Sequence, residues 1–331
     1  MDRPRILLTR RIPEEGTARL FAEAEVDLWH DGSPMPRSAL LDRVQGVDAL
    51  LCLISDRVDA EVMDRAPTLK AIGNYAVGYD NIDVKAATER GIPVFNTPGV
   101  LTDATADMAF ALLMALSRRI VEGDRLVREG RFKAWDPTML LGKDLAGSTM
   151  GVVGAGKIGS AILHRAKAFD MDLVYHSRHR DQSLERELGA RYLSLDDLLR
   201  CSDVVSLNVP LTNETRHLIG ARELSLMKGD ALLINTSRGP VVDEKELVKA
   251  LSDRRIGGAG LDVYEREPLL EPGLAELENV VLAPHLGSAT VRTRARMAKM
   301  VSDDILDHLS GKAPKNCVNP SVLGHILGGS G

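Results

Sequence analysis

Cysteine is scarce in this chain: Cys52, Cys201 and Cys317 are the only three among 331 residues. They are odd in number, far apart and form no CxxC pair. Neither a disulfide framework nor a metal site is expected from them, and reduced structural thiols are the plain reading. Basic charge is not in excess either. The chain has 42 Lys and Arg against 47 Asp and Glu, a net charge of −5. A chain without a basic excess is poorly suited to neutralising a run of phosphates, which argues against nucleic acid as a partner. Long apolar runs are missing as well. The patch Ile6-Leu7-Leu8 is too short for a signal-peptide core or a membrane span, so a cytoplasmic protein with no membrane partner is expected. There is no internal repeat and no low-complexity tract.

What is present is an ordinary soluble balance, 44% hydrophobic and 27% charged, at a length comfortable for two domains. Up to about residue 100, short apolar runs alternate with helical stretches. Arg5–Thr9, Ala49–Ile54, Ala71–Gly73 and Pro93–Asn96 read as strands, and Pro13–Ala24 as a helix. That alternation predicts βαβ units and a parallel sheet. Ala106–Leu116 is almost free of polar residues and follows the N-cap types Thr102-Asp103-Ala104-Thr105, which predicts a helix buried on most sides. Arg118–Lys143 is charged and weakly periodic, an extended arm or an interface loop. From Ser148 a second strand–helix series begins and continues to Ala283, a doubly wound domain in itself.

That second series opens with Gly154-Ala155-Gly156-Lys157-Ile158-Gly159, a G-x-G-x-x-G directly after a strand and at the start of a helix. Gly154 allows the tight turn, Gly156 leaves room for a pyrophosphate, and Gly159 lets helix and strand approach. The phosphates then meet the free N–H groups at the positive end of the helix. The next strand, Leu173–His176, runs into Ser177-Arg178-His179-Arg180. An acidic residue at this point would bind the ribose 2′-OH of NAD; here Ser177 stands there. Arg178 and Arg180 suit a 2′-phosphate, so NADP(H) is preferred and NAD(H) remains possible. A solvated basic turn is the duller alternative.

Three later segments each follow an apolar strand: Asn235–Gly239, Asp262–Pro268 and Ala283–Ser288. Open α/β sheets bind ligands at such strand ends. His285 is the candidate proton donor to a carbonyl oxygen that gains negative charge as hydride arrives at carbon. Glu267 is the candidate carboxylate that favours the imidazolium form of that histidine. Arg238 is the candidate fork for a substrate carboxylate. Taken singly, each has a structural alternative: a surface histidine, a solvated glutamate, a turn-capping arginine. Their joint position after successive strands favours the functional reading.

With Tyr75–Asp83, the Gly154 cradle, Asn235–Gly239, Gly260–Pro268 and Pro284–Thr290 in view, the chain resembles the D-isomer-specific 2-hydroxyacid dehydrogenase family over about Arg5–Pro320. Within that family it is most similar to the glyoxylate/hydroxypyruvate reductases. The resemblance implies a small 2-keto acid or 2-hydroxy acid substrate, with Arg238, Glu267 and His285 as the catalytic residues. It implies that the loop Ala76-Val77-Gly78 holds the substrate carboxylate through backbone N–H groups, and that Leu53 forms an apolar wall. Thr105 corresponds to a residue near the cofactor phosphates, and Val209, Pro210 and Thr215 to the adenine-side wall. Thr236 and Asp262 correspond to nicotinamide-side contacts, with Ser237 and Gly287 counted beside them. Trp135 corresponds to an arm residue that reaches the partner's active site, which implies a homodimer. The chain departs from common family choices at Tyr75, Ala76, Ala155 and Asp170, the last replacing a commoner glycine.

The implied fold is α/β, with two doubly wound Rossmann-like domains, the cofactor domain inserted into a discontinuous substrate domain. Residues 1–99 and 285–320 would form the substrate domain. Residues 100–284 would form the cofactor domain with a dimerisation arm at about 118–145, and 321–331 a flexible tail. Two linkers would allow hinge closure that excludes water from the hydride path. Other readings stay open: a relative acting on D-lactate, D-glycerate, formate or phosphite, a dinucleotide-binding corepressor-like scaffold, or a cofactor sensor without turnover.

Overall fold

A strand covered by helices on both faces needs no polar alternation, so the short, continuous apolar runs of this sequence become parallel strands. In the computed structural model, which describes residues 3–324, twelve strands form two sheets. The chain divides into two units. One is Thr102–Ser288; the other joins everything up to Leu101 with the stretch from Ala289 on.

The discontinuous unit holds β1 (Arg5–Leu8), β2 (Glu25–Leu28), β3 (Ala49–Cys52), β4 (Ala71–Asn74) and β5 (Val94–Phe95), in the order β2-β1-β3-β4-β5. All neighbours are parallel. The expected strands are present, and β2 is an addition. With Glu25 and Asp27 in it and only β1 beside it, this half-buried edge strand carries no continuous apolar run. The helix expected over Pro13–Ala24 is broken into a 3-10 turn, Glu14–Gly16, and a helix, Ala18–Glu23. Gly16 lies at the break, packed so closely that a Cβ there would lie 2.2 Å from the carbonyl oxygen of Ala295.

That contact belongs to the returning helix Val291–Leu309, whose N-cap Thr290 accepts the N–H of Thr293 at 3.1 Å. Its apolar stripe, Ala298, Val301, Ile305 and Leu306, is buried on one face of the sheet. Gly73 of β4 admits it, since a Cβ at Gly73 would stand 2.5 Å from Ile305 Cδ1. Chain order continues into a 3-10 turn, Pro320–Leu323, with Leu323 buried. Asn319 ties this end down, accepting the N–H of Val94 at 2.8 Å and donating to the carbonyl of Ile92 at 2.9 Å. The expectation of a flexible tail from 321 is corrected to that extent; residues 325–331 of it lie outside the described residues.

The continuous unit holds β6 (Thr149–Val153), β7 (Asp172–His176), β8 (Arg191–Tyr192), β9 (Val204–Leu207), β10 (Leu232–Asn235), β11 (Gly258–Leu261) and β12 (Val280–Leu282). Their order, β12-β11-β10-β9-β6-β7-β8, is parallel throughout and reverses between β6 and β9. Such a reversal opens the crevice in which doubly wound sheets bind ligands. Two apolar layers cover the faces of this sheet. The helix Thr102–Ser117 buries Ala106, Ala109, Phe110, Leu112 and Leu113 in one of them, as its composition predicts. Within the expected arm, Ile120–Arg128 is a helix with no buried residue. Asp170 takes φ 55°, a left-handed turn where glycine is the easier choice.

The boundary between units falls four residues later than expected, after Ser288 rather than after Pro284. The N–H of His285 donates to the carbonyl of Asp262 at 2.9 Å, and Leu286 and Gly287 donate to the Asp262 carboxylate. These bonds keep the segment with the seven-stranded sheet. Packing of the returning helix generates a stability prediction. Ile305→Ala empties a fully buried site and should cost about 2–5 kcal/mol. Urea denaturation checks it, and a midpoint at the wild-type value would mean the helix contributes little there.

Candidate active site

At the reversal point the chain leaves β6 through Gly154, at φ 94°, with a carbonyl–amide link from His176 to the Gly154 N–H at 2.8 Å. A Cβ on Gly154 would strike the Asn208 carbonyl carbon at 2.8 Å, so the ends of β6 and β9 meet here. A Cβ on Gly159 would lie 2.2 Å from the Gly154 oxygen, so this glycine lets the helix Lys157–Ala168 start against the strand. Gly156 differs: nothing lies within 4 Å of a Cβ built on it. Its side faces open space, and the N–H groups of Gly156, Lys157, Ile158 and Gly159 find no acceptor among the described residues. Four aligned donors at a helix start form an anion cradle. Two buried oxygens nearby on the strand ends, Asn208 Oδ1 and Thr236 Oγ1, have no hydrogen-bond partner. An open cradle and unpaired polar atoms at adjoining strand ends fit a dinucleotide.

The turn after β7 is tied to the cradle, because the Ala155 N–H donates to Ser177 Oγ at 2.7 Å. Its two arginines are not equivalent. Arg180 forks onto Glu185, with Nε and Nη2 each 2.6 Å from a carboxylate oxygen, and is committed to the following helix. Both arginines are expected to serve a phosphate; in this structure Arg180 is ion-paired with Glu185. Arg178 is exposed, as is His179. Glu214 is held below the usual carboxylate range, first by the Thr212 hydroxyl and also by the charge of Arg178. Glu214 belongs to the loop Val209–Thr215, which Thr215 closes by donating to the Pro210 carbonyl at 2.6 Å.

Three strand ends of the same sheet supply the candidate catalytic residues. After β10, Asn235 Oδ1 accepts from the Ser237 N–H and hydroxyl, and its Nδ2 donates to the Arg238 carbonyl at 2.9 Å. Gly239 follows and presses on the backbone of Tyr264, where a Cβ would overlap at 1.8 Å. The turn of Arg238 is thus seated on the loop that carries Glu267. Glu267 accepts the Tyr264 N–H at 3.1 Å and meets His285 Nδ1 at 2.9 Å. Burial opposes its ionisation, but the His285 hydrogen bond and charge, the Tyr264 N–H and Arg238 outweigh that and hold its carboxyl below the usual range. A carboxylate at Nδ1 fixes the proton there and leaves Nε2 for a substrate oxygen.

His285 itself has φ 54°, a left-handed backbone that costs roughly 1–2 kcal/mol for a residue with a Cβ. Asp262 holds it there. Its carboxylate, 1% exposed, accepts the N–H groups of Leu286 at 2.6 Å and Gly287 at 2.7 Å. Burial pushes its pKa up and these donors pull it back, leaving it raised. Thr105 reaches the same turn, its hydroxyl donating to the Gly287 carbonyl at 3.2 Å. Asp262, Gly287 and Thr105, each expected near the cofactor, are thus hydrogen-bonded together in the His285 turn.

In the other unit, Leu53 follows β3 and the loop Ala76–Gly78 follows β4. No described residue accepts from the N–H of Val77 or Gly78. Trp135 is 79% exposed and belongs to neither apolar layer. The described residues contain no group of three or more His, Cys, Asp or Glu arranged for a metal, and no helix long and apolar enough to cross a membrane. Asn208 escaped the sequence reading. Its position at the end of β9, before Val209-Pro210, was the available signal.

Residues 110–287 match the family model described as D-isomer specific 2-hydroxyacid dehydrogenase, NAD binding domain. The chain is 53% identical over 325 residues to a glyoxylate reductase of Thermococcus litoralis, covering 97% of this chain and 98% of that protein. A glyoxylate reductase of Korarchaeum cryptofilum is likewise 53% identical, over 323 residues and 97% of each chain. A crystal structure of a Thermus thermophilus protein superposes with a TM-score of 0.89 at 48% identity, covering 95% of this chain and 99% of that one. An NADPH-dependent glyoxylate/hydroxypyruvate reductase of Sinorhizobium meliloti, in complex with NADP and malonate, gives 0.85 at 34% identity over 96% and 97%.

The cradle generates a prediction that separates folding from binding. Gly156→Ala should leave the urea midpoint near wild type, since a Cβ there meets nothing. Dinucleotide affinity should fall about tenfold or more, because the methyl stands where phosphates approach the N–H groups. Fluorescence titration checks it, and unaltered binding would move the phosphates elsewhere.

Proposed function

The chain belongs to the D-isomer-specific 2-hydroxyacid dehydrogenase family, and from that premise we propose that it reduces glyoxylate and hydroxypyruvate to glycolate and D-glycerate with NADPH preferred. It is an NAD(P)-dependent oxidoreductase acting on a CH–OH group. The observation that carries the catalytic reading is the 2.9 Å contact of His285 Nδ1 with a Glu267 carboxylate held ionised. The nicotinamide, when bound, supplies the hydride. His285 gives the proton on Nε2 to the substrate oxygen as negative charge develops there, and Glu267 stabilises the imidazolium beforehand. Arg238 binds the substrate carboxylate and lowers the cost of charge on the oxygen. Leu53 and the N–H groups of Val77 and Gly78 take the roles that family likeness assigns them.

The NADPH preference is supported by Ser177 in place of an acid and by the exposed guanidinium of Arg178. The S. meliloti relative is named NADPH-dependent. A homodimer is supported by the helix Ile120–Arg128 and the segment after it, which expose Ile120, Val121, Val127, Phe132, Trp135 and Leu141. A second copy burying these is the occupant proposed. Three free thiols fit the cytoplasmic setting that goes with this reading.

Purified protein tested with NADPH and NADH against glyoxylate, hydroxypyruvate and pyruvate should oxidise NADPH fastest with the first two acids. No oxidation with any pair, while dinucleotide still binds, would turn the reading towards phosphite-type chemistry or a scaffold. Arg178→Ala should raise the KM for NADPH about tenfold or more and leave that for NADH nearly unchanged, since only the former has the phosphate. Equal effects would remove the 2′-phosphate role. Because the fold lowers the Glu267 pKa, this carboxylate stays charged above its ordinary range and loses its effect only as pH falls below it. Glu267→Gln removes the charge that favours imidazolium, so kcat/KM with glyoxylate should fall about tenfold or more while the NADPH Kd stays near wild type. An unchanged kcat/KM would mean that Glu267 does not support the acid.

A further inference from the structure

We propose that Asn96 is a positioning residue of the substrate carboxylate site, acting through the carbonyl of Val77. This rests on the reading that the loop Ala76-Val77-Gly78 binds a carboxylate through its N–H groups. The argument is one of peptide geometry. In a trans peptide the C=O and the following N–H point in opposite directions, so fixing the oxygen aims the hydrogen. Asn96, just past β5, donates from Nδ2 to the Val77 oxygen at 2.7 Å. That bond sets the direction of the Gly78 N–H. The Thr97 N–H donates to the Ala76 oxygen at 2.9 Å and sets that of Val77. Asn74, at the end of β4, donates to the Gly78 oxygen at 2.7 Å. Three successive carbonyls are thus held by this unit, while the N–H groups of Val77 and Gly78 donate to no described residue. Successive N–H groups held to one side make an anion-binding nest.

The amides are braced in turn. Asn74 and Asn81 pair through their side chains, Nδ2 of Asn74 to Oδ1 of Asn81 at 3.1 Å and the reverse at 3.3 Å. Asn81 also donates to the carbonyls of Leu53 at 3.1 Å and Asp56 at 3.0 Å. Buried Asp56 accepts the Leu53 N–H at 2.8 Å and the Thr9 hydroxyl. The network therefore joins the ends of β1, β3 and β4, and places Leu53 and the nest on one frame. Asn96 stands apart from it, holding a single oxygen from β5, and is 9% exposed. It is the member whose removal tilts one peptide and leaves the rest anchored.

The test measures keto-acid reduction and NADPH binding for Asn96→Ala and Asn96→Asp, with glyoxylate and with its uncharged amide. The expected result for Asn96→Ala is a KM for glyoxylate raised roughly tenfold, the scale of one buried hydrogen bond, with kcat and the NADPH Kd close to wild type and the amide little affected. Asn96→Asp has nearly the same shape, so it keeps the fold if alanine does not. Its ionised carboxyl cannot donate to the Val77 oxygen, whereas its protonated form can. Its KM, relative to wild type at each pH, should therefore recover as pH is lowered through the carboxyl titration. A purely structural role would give no such recovery, and a KM ratio independent of pH overturns the proposal. A wild-type KM for Asn96→Ala also overturns it and leaves the carboxylate loop standing. Equal losses with glyoxylate and its amide overturn the carboxylate-loop reading itself.

Discussion

One buried carboxylate sets the geometry on which the candidate catalytic residues depend. Asp262, at the end of β11, spends both oxygens on the N–H groups of Leu286 and Gly287. Those bonds fold the chain after β12 back on β11, and they oblige His285 to take a left-handed backbone. Glu267 leaves the same strand end five residues later and meets the imidazole from there. The candidate acid and the carboxylate in contact with it thus come from one pinned junction. Its strain is offset by charge-assisted hydrogen bonds in a dry place, where such bonds are stronger than in water.

Both anion sites proposed for this chain are built on backbone N–H groups, with Arg178 and Arg238 proposed as the side-chain cations beside them. In the cofactor sheet, Gly154 and Gly159 bring a helix start so close to a strand that only hydrogens fit, and Gly156 keeps the opening clear. The N–H groups of that first turn have no acceptor among the described residues, the arrangement that a phosphate cradle needs. In the smaller sheet the loop after β4 is proposed to do the same for a carboxylate, with side-chain amides holding its carbonyls. Backbone donors have fixed direction and no rotamer freedom to lose, which suits small anionic substrates whose orientation decides the reaction. The net charge of −5 is no obstacle, because the local fields are made by peptide dipoles and a few cations.

Much of this was legible in the sequence, for reasons that differ between residues. Parallel strands buried on both faces are short apolar runs, so β1, β3, β6, β7, β9 and β10 stand out. β2 does not, because an edge strand with Glu25 and Asp27 has no such run. The break at Gly16 in the helix after Pro13 leaves no local mark, and the close approach of Gly16 to Ala295 joins residues far apart in the chain. Arg178 and Arg180 look alike in a string. Only the fold brings Glu185 back onto Arg180 and separates them.

The sequence by itself determined the periodicities and the local motifs: two strand–helix series, a glycine cradle after a strand, and an arginine, a glutamate and a histidine each following an apolar run. These are local because strand burial, turn conformation and helix starts depend on neighbouring residues. Tertiary structure alone decided which side chains are consumed by structure and which are left over. Asp262 becomes a brace of the His285 turn, Arg180 an ion-pair partner, and Asn96 a holder of the Val77 carbonyl, through hydrogen bonds between segments as much as 25 residues apart. Hydrogen bonds are satisfied by proximity in space, and sequence spacing carries no record of it.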